Sequence, residues 1–256
     1  LSGYNPDELM VVEAARHIND GDVVLVGTGL PMVAGLLAQR THAPNMCYVV
    51  ETGPVAPRVL PTPISVSDPR VMHGAVSHGS LLSSLGGVLQ RGLADVSFLG
   101  GAQIDRYANL NSTVIGNPER PKVRLPGSGG ANDLASHSPR ILIITRHERR
   151  RFPERCDYIT SPGYLDGPDA RKLAGLSVPY PEISVITDLC VMEIDRATGT
   201  LGVARLAPGV TFDTVQQNTG FDLHRPADVP EISPPSGDIV ELLRREVDPG
   251  GVYLNG

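Results

Sequence analysis

The sequence predicts an α/β protein, an open and mostly parallel sheet flanked by helices, folded as a single domain over residues 1–256. Three observations predict it. Short apolar runs bounded by glycine, proline or polar residues, such as "DVVLVGTG", "MCYVVETG" and "PRILIITR", read as buried strands. Segments with capping residues and helical spacing lie between them. The succession strand, glycine turn, helix, strand is a βαβ unit, whose strands pair in parallel.

Each element follows in order. "NPDELMVVEAARHINDG" opens as a helix: Asn5 can cap it, Pro6 suits its first turn, and Asp7 and Glu8 complement the positive N-terminal dipole. Gly21 stops it. "DVVLVGTG", "PMVAGLLAQRTH" and "MCYVVETG" form the strand, helix and strand of the βαβ unit. Residues 54–70, rich in Pro, Ser and Thr, read as a surface loop. "SSLGGVLQRGLA" is the next helix and "DVSFLGGAQID" the next strand. "PRILIITR" and "EISVITD" are buried strands. "DLCVMEIDRATGTLGVARL" is a hairpin that turns at "ATGT". "TFDTVQQNTG" and "GDIVELLRREVDPGG" are helices ended by glycine. No repeat, linker or shift in composition divides the chain, so one domain is expected.

Composition narrows the function classes. Hydrophobic residues make up 41% of the 256 residues, which suits a globular core. A net charge of −6 argues against a non-specific nucleic-acid binder. Cys47, Cys156 and Cys190 are scattered without a CxxC pair, so neither a disulfide framework nor a zinc knuckle is expected, and a reducing cytoplasm is the simpler setting. The acidic, amphipathic start carries no signal-peptide pattern. The longest apolar run is broken by Gly27, Gly29 and Pro31, so no membrane span is expected. His73 and His78 have no third ligand at metal spacing, and no G-x-S-x-G elbow is present.

Candidate chemistry gathers at strand ends. In "VVETGPV" a carboxylate, Glu51, ends an otherwise apolar strand. Partial desolvation there would make it a stronger base and nucleophile when ionised. A salt bridge to Arg58 or Arg70 is the bland alternative, and on the residues alone it is the better bet. "GSGGAND" places Gly127, Ser128, Gly129, Gly130, Ala131 and Asn132 together. Consecutive glycines let backbone N–H groups converge on one oxygen, and an oxyanion hole and a plain turn are evenly matched readings. "LGGAQIDRYANLNST" concentrates Gln103, Asp105, Asn109 and Asn111 after a strand, where either a site or a braced turn would put them. "GTGLPMVAG" resembles a dinucleotide fingerprint but has Met32 at the third glycine position, so a tight turn is preferred. "RHERRR", residues 146–151, is either a solvated face or an anchor for a phosphorylated ligand.

Taken together, "GTGLP", "VVETG", "LGGAQIDRYANLNST", "PGSGGAND", "HERRRF", "DYITSPGYLDGP" and "NTGFDL" resemble the β subunits of class I coenzyme A transferases of the glutaconate type. The resemblance runs from about Pro6 to the C-terminal helix. It implies the CoA-transferase β-subunit fold and a strand-end glutamate that attacks acyl-CoA to form a glutamyl-CoA thioester, a position Glu51 matches. It implies an oxyanion hole in a glycine loop that Gly127, Gly129, Gly130 and Ala131 match; Gly127, Ser128, Asn132, Gln103 and Asp105 are the expected substrate-binding residues beside it. It also implies a homologous α subunit in a heterodimer, expected as α2β2, and no cofactor, coenzyme A being part of the substrate. The motif here is E-T-G-P where the family has E-S-G or E-N-G. Within the family the chain looks most similar to β subunits of the actinobacterial steroid-ring-opening CoA hydrolases. The favoured expectation is therefore hydrolytic carbon–carbon ring opening of a cyclic keto acyl-CoA. CoA transfer between carboxylic acids is the alternative, and a non-catalytic subunit completing an α-subunit site is the third.

Overall fold

The computed structural model describes residues 3–58 and 63–254; Val59 to Thr62, within the loop expected over 54–70, lie outside the described residues. The chain sorts into two compact units, residues 1–98 with 233–256, and residues 99–232.

The first unit opens with α1 (Pro6–Arg16). Asn5 accepts from the Glu8 N–H at 2.9 Å, and Glu8 in turn accepts from the Asn5 N–H at 2.7 Å, a complete capping box. Glu8 has a second task. It is buried and pairs with Arg244 at 2.6 Å, clipping the C-terminal helix to the first. Next come β1 (Val23–Leu25), α2 (Leu30–Arg40) and β2 (Cys47–Val49). β1 lies parallel to β2 and to β5 (Val96–Leu99). Two short strands, β3 (Pro54–Val55) and β4 (Ser77–His78), extend the sheet antiparallel beyond β2. The expected parallel centre is present; the antiparallel edge comes from a tight turn after β2, in a stretch that composition alone marks as loop. The helix expected at "SSLGGVLQRGLA" is a π-type helix over Leu82–Leu89.

The second unit begins with two hairpins, β6 (Gln103–Ile104) with β7 (Leu110–Asn111), and β8 (Val114–Asn117) with β9 (Arg120–Arg124). The single strand expected over "DVSFLGGAQID" is thus broken at Gly100–Ala102. α3 (Ala131–His137) follows the glycine loop and leads to β10 (Arg140–Thr145). Beyond α4 (Ala170–Leu173), β11 (Glu182–Thr187) pairs parallel with β10 over six residues. β12 (Cys190–Asp195) and β13 (Thr200–Leu206) form the expected hairpin. After α5 (Phe212–Gln217) the chain returns to the first unit as α6 (Gly237–Leu242), which continues as a π-type turn over Leu243–Val247. Among the described residues no helix is long and apolar enough to cross a membrane, and no three His, Cys, Asp or Glu side chains are placed to hold a metal.

Candidate active site

Glu51 sits at the tip of a β-turn that closes β2. The Gly53 N–H donates to the Val50 carbonyl at 2.9 Å, and the Val50 N–H donates to the Pro54 carbonyl at 3.0 Å. Glu51 and Thr52 are the two central residues. Gly53 has φ +123°, and a Cβ there would stand 2.4 Å from the Gly79 carbonyl carbon, so only glycine permits this close approach. Ser84, buried in the π-type helix, donates its hydroxyl to the Glu51 carbonyl, and Thr52 donates to the Val66 carbonyl at 3.2 Å. The backbone of the turn is thereby held on both sides while the Glu51 carboxylate is left uncommitted.

That carboxylate is half-buried, and burial raises its pKa above the ordinary glutamate value; among the described residues no neighbouring charge offsets the effect. The salt bridge weighed on the residues alone does not form. Arg70 is committed to Asp68 at 2.5 Å, Arg58 is exposed, and among the described residues Glu51 has no ion pair. A desolvated carboxylate without a counter-charge is costly as structure and useful as a nucleophile.

In the second unit the glycine loop is held from behind. The Gly127 N–H donates to the Ser112 carbonyl at 2.8 Å, and Ser112 donates its hydroxyl to the Gly127 carbonyl at 2.8 Å. The Asn132 side chain donates to the Thr160 carbonyl at 2.9 Å, fixing the start of α3. The Ala131 N–H donates to the Ser128 carbonyl, and the Asn132 N–H to the Ser128 hydroxyl. Among the described residues the Ser128 N–H has no acceptor, and neither do the next two amides, those of Gly129 and Gly130. Their φ values have opposite sign, +49° and −80°, an alternation that turns consecutive amides toward one point. The pair can bind one oxyanion.

Gln103 and Asp105 are buried, and their polar atoms brace the scaffold. Asp105 accepts from the Tyr107, Asn109 and Cys156 N–H groups and from the Asn109 side chain. Gln103 accepts from Asn111 at 2.7 Å and from the Asp157 N–H, and it donates to Asp157 at 3.1 Å. Sequence reasoning missed Arg171. It is fully buried, has no carboxylate partner among the described residues, and donates to the carbonyls of Val178, Pro162, Gly163 and, in α3, Ala135. Burial lowers its pKa to about 10, so it remains a cation at neutral pH. Its anchoring of α3 to residues 162–163 is a tertiary contact with no local signal in "DARKLAG".

The fold and these two features define a class. Residues 8–218 match the Coenzyme A transferase family model, and the chain belongs to that family. It is 39% identical to the B subunit of the 3-oxoadipate CoA-transferase of Pseudomonas knackmussii, covering 95% of this chain and 94% of the relative. It is 37% identical to the B subunit of the glutaconate CoA-transferase of Acidaminococcus fermentans over 99% of this chain and 96% of the relative. The crystal structure of that organism's glutaconate coenzyme A-transferase superposes with a TM-score of 0.93 and 36% identity, covering 100% of this chain and 99% of that one. The cholesterol ring-cleaving hydrolase IpdB subunit of Mycobacterium tuberculosis stands at 24% identity over 94% of each chain. The chain is therefore an enzyme of the CoA-transferase family, and the identities weigh toward transfer where the perceived likeness of the whole chain to the ring-opening hydrolases favoured ring opening.

Proposed function

We propose that this chain is the B-type subunit of a two-subunit CoA transferase that moves coenzyme A between carboxylic acids. Glu51, in the first unit, is the nucleophile; in the second unit the Gly129–Gly130 amides are suited to an oxyanion. The observation that carries the reading is Glu51 itself, half-buried, without an ion pair among the described residues, and presented on a turn that only Gly53 can close. Its carboxylate attacks the thioester carbonyl and expels CoA thiolate, leaving a mixed anhydride. The thiolate then attacks the glutamyl carbonyl and releases the first acid, leaving a glutamyl-CoA thioester. The acceptor carboxylate reverses both steps. Each addition puts negative charge on a former carbonyl oxygen, which is the charge unpaired amides stabilise.

Glutaconate and 3-oxoadipate, the acids in the relatives' names, are both dicarboxylates. A dicarboxylic acid is thus the substrate class we assign. The partner is a homologous A-type subunit, since both relatives are named as B subunits. The test is transfer from an acyl-CoA to a dicarboxylate by the co-purified pair. Glu51→Ala should lower turnover by a factor on the order of 10³ or more, the scale for losing an activated nucleophile. Water-dependent ring opening of a cyclic keto acyl-CoA, with the thioester retained and no acceptor acid needed, would instead favour the hydrolytic reading, which rests on the relative at 24% identity.

A further inference from the structure

Within the first unit the Glu51 turn packs closely on the segment that opens the π-type helix. The Gly79 N–H donates to the Gly53 carbonyl at 3.1 Å. A Cβ on Gly79 would stand 2.9 Å from the Ser83 Cβ, just as one on Gly53 would meet Gly79. Next in the helix is Ser84, only 2% exposed, whose hydroxyl donates to the Glu51 carbonyl. The helix starts with α-type spacing, the Ser84 N–H donating to the Ser80 carbonyl at 3.1 Å. It then widens, and the Gln90 N–H reaches back five residues to the Leu85 carbonyl at 2.9 Å. Widened turns of this kind are rare and gather at functional sites. Gly86 and Gly87 disfavour a helix further, so packing and not propensity holds it.

The Ser84 hydroxyl has one proton and three carbonyls within reach. Those of Leu81 and Ser80, in its own helix, stand at 3.2 and 3.5 Å, and the Glu51 carbonyl is the nearest. The proton therefore goes to the turn and not back into the helix. Glu51 and Thr52 are the central residues of that turn, so the Glu51 carbonyl belongs to its central peptide. A flip of this peptide converts one turn type into another. The flipped form needs a positive φ at Thr52, which a β-branched residue resists, and Thr52 is not among the residues with positive φ. Ser84 restrains the same peptide from outside, by a hydrogen bond.

The carboxylate has no such restraint of its own. Among the described residues neither a hydrogen bond nor an ion pair holds the Glu51 side chain. Its direction is set by its rotamer, and the rotamers allowed to it depend on backbone φ and ψ. A flip of the central peptide changes ψ at Glu51, and with it the line along which the carboxylate meets a carbonyl carbon. We infer that Ser84 is a positioning residue: its hydroxyl, aimed by the widened helix, locks the central peptide of the turn and so fixes the attack direction of Glu51. This rests on Glu51 being the nucleophile, as proposed above.

The test compares Ser84→Ala with Ser83→Ala in the co-purified pair. Ser83 is exposed and its hydrogen bonds are with Ser80, so its loss loosens the helix start and leaves the Glu51 tether in place. Ser84→Ala should lower kcat by about tenfold to 10²-fold, the scale of a small misplacement of a reacting group, with KM for the acyl-CoA little changed. Hydrogen–deuterium exchange needs no turnover. It should show the Gly53 amide, which closes the turn, exchanging about fivefold faster in Ser84→Ala, the scale of one lost hydrogen bond. Ser83→Ala should match the native pair in kcat and in exchange at Gly53, even where it melts earlier. If Ser84→Ala does not fold, Ser84→Cys, a weaker donor of similar shape, is read by the same criteria. Native kcat in Ser84→Ala, equal losses of kcat in the two serine variants, a raised KM with kcat unchanged, or unaltered exchange at Gly53 would each overturn the positioning role and leave the transferase. Native turnover in Glu51→Ala would overturn the nucleophile and the positioning role with it.

Discussion

At Glu51 stability and function pull in opposite directions. Burial raises its pKa, so the folded state holds its proton more tightly than the unfolded state does. The stability this contributes is complete below the unfolded pKa and is lost as pH rises through the folded one. Glu51→Gln removes the titration. Its melting temperature should therefore equal or exceed the native one at pH 7, and the difference should grow in the variant's favour as pH rises through the acid range. Turnover should be abolished in the same protein. A Glu51→Gln pair that melts earlier at pH 7 would show the carboxylate to be a structural group.

His147 titrates in the opposite sense. It is buried, stacks on Phe152 at 4.3 Å, and its ring nitrogens meet Thr187 at 3.1 Å and Thr219 at 3.0 Å. Burial lowers its pKa from 6.5 to about 4, with Asp188 opposing. The unfolded chain thus takes up the proton first as pH falls. Stability present above pH 6.5 should drain away toward pH 4, by up to about 3 kcal/mol. Urea titrations at several pH values would show the native protein losing stability across that window, with His147→Gln less stable at pH 7 but losing less on acidification. Parallel losses in both proteins would assign the acid sensitivity elsewhere.

Among the elements, the glycine loop with α3 is the most exposed to test. Among the described residues the Gly130 N–H finds no acceptor, and its φ of −80° is one proline tolerates. Gly130→Pro therefore deletes a donor without breaking a hydrogen bond. Loss of one oxyanion donor should slow turnover by about 10²–10³, with the melting temperature little changed. A variant that melts early but turns over at the native rate per folded site would reduce the loop to a turn. Local signals made much of this scale legible. Asn5 and Glu8 advertise their capping box, and "ATGT" marks the β12–β13 turn. The β8–β9 hairpin escaped because Pro118 and Pro121 read as loop residues; both strands are short, and β9 is largely exposed. Gln103 and Asp105 look alike as strand-end polar residues; only tertiary contacts reveal how far their side-chain atoms are committed to neighbours.

Over the whole chain, motif resemblance identified the family where periodicity could not. The apolar run before it placed Glu51 at a strand end, but whether a carboxylate there is paired depends on where Arg58 and Arg70 go: Arg70 turns to Asp68, and Arg58 stays exposed. The return of residues 233–256 to the first unit likewise has no local signal; it buries Leu243 and Val247 and brings Arg244 to Glu8 across 236 residues of sequence. The choice between transfer and ring opening turns on which bond Glu51 makes, and that can be trapped. The co-purified pair is incubated with an acyl-CoA, treated with borohydride or hydroxylamine, digested, and the peptide containing "VVETGPV" is weighed by mass spectrometry. A glutamyl-CoA thioester predicts Glu51 reduced to the alcohol by the first reagent and converted to the hydroxamate by the second, in each case only when acyl-CoA was present. An unmodified Glu51 in a pair that is turning over substrate would contradict the assignment of Glu51 as the nucleophile.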